Sequence, residues 1–310
     1  MRTVRSGFRI SVVLLAALFS LALIAPAAAE KSIGVIMTGN LSYFKEMHKA
    51  FTEALAAEGF GKVEIVVQTP APDTMSWTNA ARKLVAVGSD LIVSYGAPAT
   101  LAVMDETGDI PLVYAGVFDP IGVGVKGKNA TGVSSKVPIA GLLKNFKAIA
   151  PFSNLGVVYS DSEKDTVLQA NEVAHLEGSF GFKSTKFSVR RAADAAKIAN
   201  VDALFLTTAC SGMQCVANIV GIANKLKVPT ATTMGGGEQS GIILTITANP
   251  AEQGREAAKI VANVLKGAKP STIPPVQPKK IDLIVNLKAA NEMGLKIPMD
   301  VLGSASKVIR

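Results

Sequence analysis

Apolar and polar stretches alternate along the chain from residue 32 onward, and the apolar runs predict β-strands. Most of these runs are continuous rather than alternating, which is typical of parallel strands covered by helices on both faces of the sheet. The predicted strands are SIGVIM (32–37), VEIVVQ (63–68), DLIVSY (90–95), PLVYAGVF (111–118), LGVVYS (155–160), ALFLTT (203–208), PTATTM (229–234) and IILTIT (242–247).

Segments with apolar residues at helical spacing lie between these runs. The clearest covers residues 44–55 and stops before Gly59, and Trp77 shares the spacing of a second face at Ala81 and Leu84, so we expect it in the core. Alternating strands and helices predict the α/β class. About four such units precede residues 132–138 and a comparable set follows, which favours two sheets. The proline-rich residues 266–280 predict an extended strap.

The first 29 residues have the three-part pattern of a secretory signal. A basic start is followed by an apolar run at 10–24 and by the small residues Ala27 and Ala29, which predict cleavage after Ala29. Fifteen apolar residues are short for a membrane span, although an uncleaved anchor is the alternative. No cysteine lies near this site for lipid attachment. We therefore expect a periplasmic protein that has lost its signal peptide.

Charge and motifs exclude several classes of function. Loss of the three leader arginines lowers the formal net charge from +8 to +5, without a basic run, so we expect no nucleic-acid partner. The glycines at 122, 124 and 127 match a dinucleotide fingerprint, but Pro120 precedes them and no helical pattern follows. They are predicted to be turn residues. Hydrolase and metal motifs are missing, so we expect no enzyme, no cofactor and no metal.

Cys210 and Cys215 are the only cysteines of the chain. In an oxidising compartment the pair is expected to form a disulfide. Residues five apart in a regular helix are too distant to bridge, so this disulfide requires Cys210 to lie in a loop and only Cys215 to be helical.

Small or polar residues recur at the carboxyl ends of the predicted strands. Ligands of open parallel sheets bind outside these ends, so two facing sheets would form a ligand cleft. With aromatic residues nearby, the predicted ligand-binding residues are Gly39, Asn40, Tyr43, Phe44, Ser94, Tyr95, Gly96, Ala97, Pro98, Phe118, Asp119, Ser160, Thr207, Thr208, Met234 and Gly235.

Five segments carry a resemblance to a known family. The chain resembles substrate-binding proteins of bacterial ABC importers, in the group that takes up tryptophan and related amino acids. The matching segments are DLIVSYGAPATLAV, IPLVYAGVFDPIGVGV, NATGVSS, PAEQGREAAKIVANVLKGAKPSTIPP and IDLIVNLKAANEMGLKIP. Many members carry Asp-Asn where this chain has Ala209-Cys210, and aromatic residues within residues 245–254, so this chain departs from the pattern of members that bind conventional α-amino acids.

The resemblance implies a type I periplasmic-binding-protein fold, with two Rossmann-like lobes joined by three crossovers. We place the crossovers near 134–138, 245–249 and 278–281. Residues 30–134 with 248–278 are expected to form the N-terminal lobe, and residues 135–247 with 279–310 the C-terminal lobe.

The implied roles follow from the same resemblance. Asp119 would present a carboxylate to an ammonium or hydroxyl group of the ligand, or else cap its own turn. The start of the helix in SYGAPAT would hold a carboxylate.

The expected function is a monomeric, non-enzymatic solute receptor that delivers its ligand to an ABC permease. The ligand would be a small carboxylate, either an amino acid or a related compound, with an aromatic side chain as one option. The alternative is a sensory receptor of the same fold that signals to a membrane kinase. In either case the lobes would close on the ligand.

Overall fold

The computed structural model describes residues 31–125, 127 and 129–310. The expected signal peptide and its cleavage site therefore lie outside the described residues. Two sheets formed by the described residues confirm the predicted α/β class. None of the helices in this part of the chain has the length and apolarity of a membrane span.

The first sheet has five parallel strands in the order β2-β1-β3-β4-β5. We call this sheet and the helices packed on it the first lobe. Its strands are β1 (Ser32–Met37), β2 (Glu64–Gln68), β3 (Leu91–Tyr95), β4 (Leu112–Val117) and β5 (Ala130–Ser134), and its helices include α1 (Ser42–Leu55), α2 (Thr74–Ala86) and α3 (Ala97–Glu106). A π-helical turn at Ala56–Phe60 extends α1 and contains Gly59 at φ 94°, where the helix was predicted to stop.

The second sheet has seven strands in the order β12-β11-β10-β9-β8-β6-β7, and only the β10–β11 pair is antiparallel. This sheet and its helices form the second lobe. Its strands are β6 (Asn154–Tyr159), β7 (Lys183–Ser188), β8 (Ala203–Leu206), β9 (Thr230–Thr232), β10 (Leu244–Ala248), β11 (Ile281–Asn286) and β12 (Lys307–Ile309). Its helices are α4 (Ile139–Ile149), α5 (Lys164–His175), α6 (Glu177–Phe180), α7 (Cys210–Gln214), α8 (Val216–Leu226), α10 (Leu287–Glu292) and α11 (Met299–Ser304), while α9 (Pro250–Leu265) returns to the first lobe.

The chain passes between the lobes at three places: between β5 and α4, between β10 and α9, and before β11. The proline-rich strap before β11 runs along the outer edge of β5. There Ser134 N–H donates to Val276 O at 2.8 Å and Val276 N–H donates to Gly132 O at 2.9 Å. The strap therefore covers backbone groups of an edge strand that would otherwise be unpaired. The lobe boundaries given above remain our proposal.

Helix α9 packs closely against α1 because Gly254 has no side chain. A methyl group at Gly254 would lie 2.1 Å from the Met47 carbonyl oxygen and 2.9 Å from the Phe51 nitrogen. Gln253, the residue before Gly254, is fully buried. Its Oε1 accepts from Gly116 N–H of β4 at 2.8 Å, and its Nε2 donates to Tyr43 OH of α1 at 2.9 Å, so it connects both helices to the sheet. This helix pair fixes the returning chain on the first lobe.

Gly254→Ala is expected to lower the free energy of unfolding by about 3 kcal/mol or more, because the backbone atoms it meets can move only if the helices separate. The matched control is Gly221→Ala on the exposed face of α8, where a methyl group meets nothing within 4 Å. That change should raise stability by about 0.5–1 kcal/mol. Urea unfolding measures the free energy of unfolding of both variants. Equal effects of the two substitutions would contradict the close helix contact.

Candidate functional site

The carboxyl ends of the two sheets face each other, and the lobes touch there. A methyl group on Gly39, after β1, would lie 3.4 Å from the Gln214 amide nitrogen and 3.7 Å from Cys210 Cβ in the second lobe. One on Gly122, after β4, would lie 2.8 Å from Leu168 on α5. The polar strand ends predicted from the sequence are thus brought to one interface between the lobes.

The ends of β1 and β3 are held together by a dense set of hydrogen bonds. Thr38 Oγ1 donates to Tyr95 O at 2.7 Å and accepts from Ala99 N–H at 3.3 Å, while Trp77 Nε1 donates to Thr38 O at 2.7 Å. Trp77 is buried, as predicted. Gly96 has φ 90°, and a methyl group there would lie 2.4 Å from Thr38 Oγ1. Only glycine fits this turn, which opens α3 at the interface.

The hydroxyl of Ser94 supports this turn from inside the protein. It lies 2.8 Å from Thr100 Oγ1, and Thr100 Oγ1 donates to Gly96 O at 2.8 Å. Ser94 is fully buried. Its side-chain contact is therefore with α3, and contact of this segment with a ligand stays a prediction.

The predicted aromatic residues are packed inside the lobes. Tyr43 OH donates to Ala248 O at 3.2 Å and accepts from Gln253 Nε2 at 2.9 Å, and burial raises the pKa of Tyr43 strongly. Tyr95 OH lies 3.2 Å from His48 Nδ1, on the α1 side of the sheet. Phe44 and Phe118 are also buried. Tyr43 also lines a cavity, which is described below.

Asp119 caps its own turn and forms an ion pair. Its Oδ1 accepts from Gly122 N–H at 2.9 Å, and its Oδ2 accepts from Lys136 Nζ at 3.0 Å. Partial burial opposes ionisation, but the hydrogen bonds from Gly122 and Lys136 outweigh it and lower the pKa of Asp119. These contacts are the ones expected if Asp119 caps its own turn. Contact with a ligand stays a prediction for this residue.

The other predicted residues of the second lobe also have local partners. Ser160 Oγ lies 2.9 Å from Ser162 Oγ, and Thr207 Oγ1 donates to Val158 O at 2.9 Å. Met234 is buried, and Gly235 N–H donates to Thr247 Oγ1 at 3.1 Å. These contacts shape the strand ends rather than leave donors free for a ligand.

Acidic and amide side chains at the start of α5 also lie near the strand ends, although the sequence pattern did not predict them as ligand-binding residues. Glu163 is buried and accepts from Cys210 N–H at 2.9 Å and from Ser211 Oγ at 2.9 Å, so it anchors the first turn of α7. Asp165 Oδ2 accepts from Thr208 Oγ1 at 3.1 Å. Burial and then the charge of Glu163 raise the pKa of Asp165 to about 7. The sequence signal was the run DSEKDT, which places three acids directly after a buried strand.

The expected disulfide was wrong, because Cys210 and Cys215 are free thiols in this structure. Cys210 is the first residue of α7 rather than a loop residue, and Cys215 joins α7 to α8. Both therefore lie in one helical run, where residues five apart do not face each other. Burial raises the pKa of both thiols.

A cavity of about 340 Å³ lies between the start of α1 and strands β10 and β11 of the second lobe. It is next to the crossovers and includes Tyr43 and Gly235 from the predicted site, together with Thr247. A second space of about 400 Å³ lies between Asp119, Lys136 and the proline-rich strap. Among residues 31–125, 127 and 129–310, no three histidine, cysteine or acidic side chains cluster as metal ligands would.

Known proteins share this fold over nearly the whole chain. A curated relative, the tyrosine-binding protein of Clostridioides difficile (strain R20291), is 23% identical over 273 residues, covering 83% of this chain and 79% of the relative. The crystal structure of an ABC domain from Streptococcus pneumoniae in complex with L-Trp has a TM-score of 0.84 and 26% identity, over 91% of this chain and 100% of that one.

A third comparison is a ligand-free, open substrate-binding protein with adhesive properties from Clostridium difficile. It has a TM-score of 0.66 and 22% identity, over 90% of this chain and 99% of that one. Type I periplasmic binding proteins such as a leucine-binding protein of Thermotoga maritima are also similar in fold, with a TM-score of 0.60. The family model described as ABC transporter substrate binding protein matches residues 32–309, so this chain belongs to the family of ABC transporter substrate-binding proteins.

Proposed function

We propose that this protein is a periplasmic receptor of an ABC importer that binds an amino acid between its lobes and delivers it to a permease. The observation that carries the proposal is that two mainly parallel sheets face each other at their carboxyl ends, across three chain crossovers. Ligands of parallel sheets bind at this edge. Family membership supports the role in transport and a location outside the cytoplasm.

Contacts between the lobes support a closed conformation. Met37 and Tyr43 of the first lobe share an apolar cluster with Met213 and Met234 of the second. The chain also superposes better on the L-Trp complex than on the ligand-free, open protein, with TM-scores of 0.84 and 0.66. In the proposed mechanism the ligand contacts both lobes only when they are closed, so its binding shifts the population toward closure.

The start of α3 is the proposed carboxylate site. Helix N-termini attract anions because their first N–H groups have no partner within the helix. At α3 the preceding residue is Gly96, which has no side chain to cap the helix. Pro98 has no N–H group and Ala99 N–H donates to Thr38 Oγ1 at 3.3 Å, so the donor proposed for the ligand carboxylate is the Ala97 N–H. An amino acid is the proposed ligand class because one relative is a tyrosine-binding protein and another was crystallised with L-Trp.

Removal of the ligand carboxylate is expected to abolish binding. L-Tyrosine and L-tryptophan should raise the melting temperature, because a ligand that binds only the folded state stabilises it by mass action. Their decarboxylated forms, tyramine and tryptamine, are the controls and should have no effect. Differential scanning fluorimetry measures the shifts, and mass spectrometry should recover the amino acid unaltered. Recovery of a converted product would instead indicate an enzyme.

Asp119→Asn is expected to weaken amino-acid binding far more than it destabilises the fold. The amide oxygen of Asn can keep the hydrogen bond from Gly122, and the side chain of Lys136 is half exposed, so the lost ion pair costs less than about 1 kcal/mol. A lost charged hydrogen bond to the ligand corresponds to roughly 10- to 150-fold in dissociation constant.

Lys136→Gln is the control for Asp119→Asn, because it removes the same ion pair but keeps the carboxylate. Isothermal titration calorimetry and thermal unfolding measure affinity and stability for each variant. Unchanged affinity in Asp119→Asn would assign this residue to its turn alone.

A further inference from the structure

One carboxylate oxygen at the lobe interface has no partner. Asp165 is buried, and its Oδ2 accepts from Thr208 Oγ1 at 3.1 Å, but its Oδ1 has no hydrogen-bond partner among the described residues and no contact with solvent. Asp165 is also in none of the ion pairs found in this part of the chain. Buried polar atoms in folded proteins are nearly always hydrogen-bonded, and an unpaired buried charge is costly.

The neighbouring side chains hold Asp165 in one orientation. Gln169, one turn further along α5, accepts from Thr233 Oγ1 at 2.7 Å and from Thr208 N–H at 3.2 Å. Its amide nitrogen donates to Thr208 Oγ1, which leaves the Thr208 hydroxyl proton for Asp165. The network therefore directs one oxygen of Asp165 to Thr208 and leaves the other unused.

The side of α5 that carries Asp165 is the side that meets the first lobe. Leu168 lies three residues after Asp165 and therefore on the same helix face. Leu168 packs against a cluster of the first lobe that contains Ala97 and Val117, which are the first residue of α3 and the last residue of β4. Asp165 thus lies across the interface from the proposed carboxylate site.

We propose that Oδ1 of Asp165 binds the ammonium group of an amino-acid ligand whose carboxylate lies at the start of α3. This inference rests on the proposed function and adds the group that recognises the amine. An ammonium supplies a positive charge and three donors, so it satisfies the unpartnered oxygen and offsets the repulsion between Asp165 and Glu163. The chain thereby has its amine-binding acid on α5, while Ala209 after β8 has no charge to offer.

The ionisable groups that face Asp165 are few. Glu163 is near it at the start of the same helix, and Cys210 comes from the start of α7. Thr208, after β8, contributes its hydroxyl to Asp165, and Thr233, after β9, donates to the adjacent Gln169. The cluster of the first lobe that packs against Leu168 on the same helix is apolar. Because an ammonium binds the ionised carboxylate, affinity for an amino acid should increase as the pH rises from 6 to 8.

The test compares each amino acid with its counterpart that lacks the amino group. L-Tyrosine and L-tryptophan are titrated beside hydroxyphenylpropionate and indolepropionate, by calorimetry, into the wild-type protein and Asp165→Asn. The variant keeps the shape of the side chain and an oxygen for Thr208. We expect roughly 10- to 150-fold weaker binding of the amino acids by the variant and no change for the counterparts without the amino group. The increase of affinity with pH should also be lost.

Asp161→Asn is the matched control, because it removes one negative charge from the same loop at an exposed side chain paired with Arg190 at 2.7 Å. It should bind both ligand classes as the wild type does. Thermal unfolding confirms that each variant is folded. Equal affinity of wild type and Asp165→Asn for the amino acid, with retained pH dependence, would overturn the role of Asp165 in binding the ammonium group. The proposed function would not be affected by that result. Failure of the wild type to bind any of the four compounds would overturn the proposed function, and the amine assignment with it.

Discussion

The arrangement of the two lobes depends on one chain of buried hydrogen bonds. Gln253 on α9 accepts from Gly116 N–H after the middle of β4 and donates to Tyr43 OH, and Tyr43 OH donates to Ala248 O at the end of β10. These hydrogen bonds join β4 and α9 of the first lobe to the end of β10, where the polypeptide crosses over from the second lobe. Gln253, Tyr43 and Ala248 are buried and each group has a partner, so the loss of any one leaves another unsatisfied. The close approach at Gly254 brings Gln253 within reach of both partners.

The attachment of α9 to the first lobe limits which parts of the two lobes can move apart. The crossover between β10 and α9 is fixed to the first lobe, and the strap is hydrogen-bonded to the edge of β5. The facing strand ends, in contrast, meet through small residues such as Gly39 and Gly122 and through side-chain contacts with Leu168 and Gln214. In the proposed mechanism the lobes separate at the strand ends while the attachment of α9 to the first lobe stays intact.

The two buried acids at the start of α5 have different energetic roles. Glu163 is offset by three donors from the first turn of α7, so it stabilises a helix whose cap residue, Ala209, has no acceptor side chain. Asp165 Oδ2 accepts from Thr208 Oγ1, Oδ1 has no hydrogen-bond partner among the described residues, and burial raises the pKa of Asp165 to about 7. The second acid is thus costly for the ligand-free protein, and this cost is what a bound ammonium would remove.

Periodicity predicted most of the fold because buried parallel strands have a strong apolar signal. It missed β7, whose sequence KSTKFS is polar because the strand lies at the sheet edge with exposed side chains. The strand ends were predicted as a group, but the direction of single side chains was not: Tyr95 turns toward His48, and Ser94 toward Thr100. The predicted disulfide was wrong because α7 begins at Cys210, whereas the disulfide required Cys210 to lie in the preceding loop. Asp165 was overlooked because its burial depends on tertiary packing, which brings Thr208 after β8 onto the start of α5.

Small-angle X-ray scattering tests the central claim, that two lobes close on an amino acid held between them. The radius of gyration should decrease when L-tyrosine or L-tryptophan is added, and the scattering with ligand should match the profile calculated from the closed structure. Binding shown by calorimetry with no change in the radius of gyration would contradict closure as the mechanism.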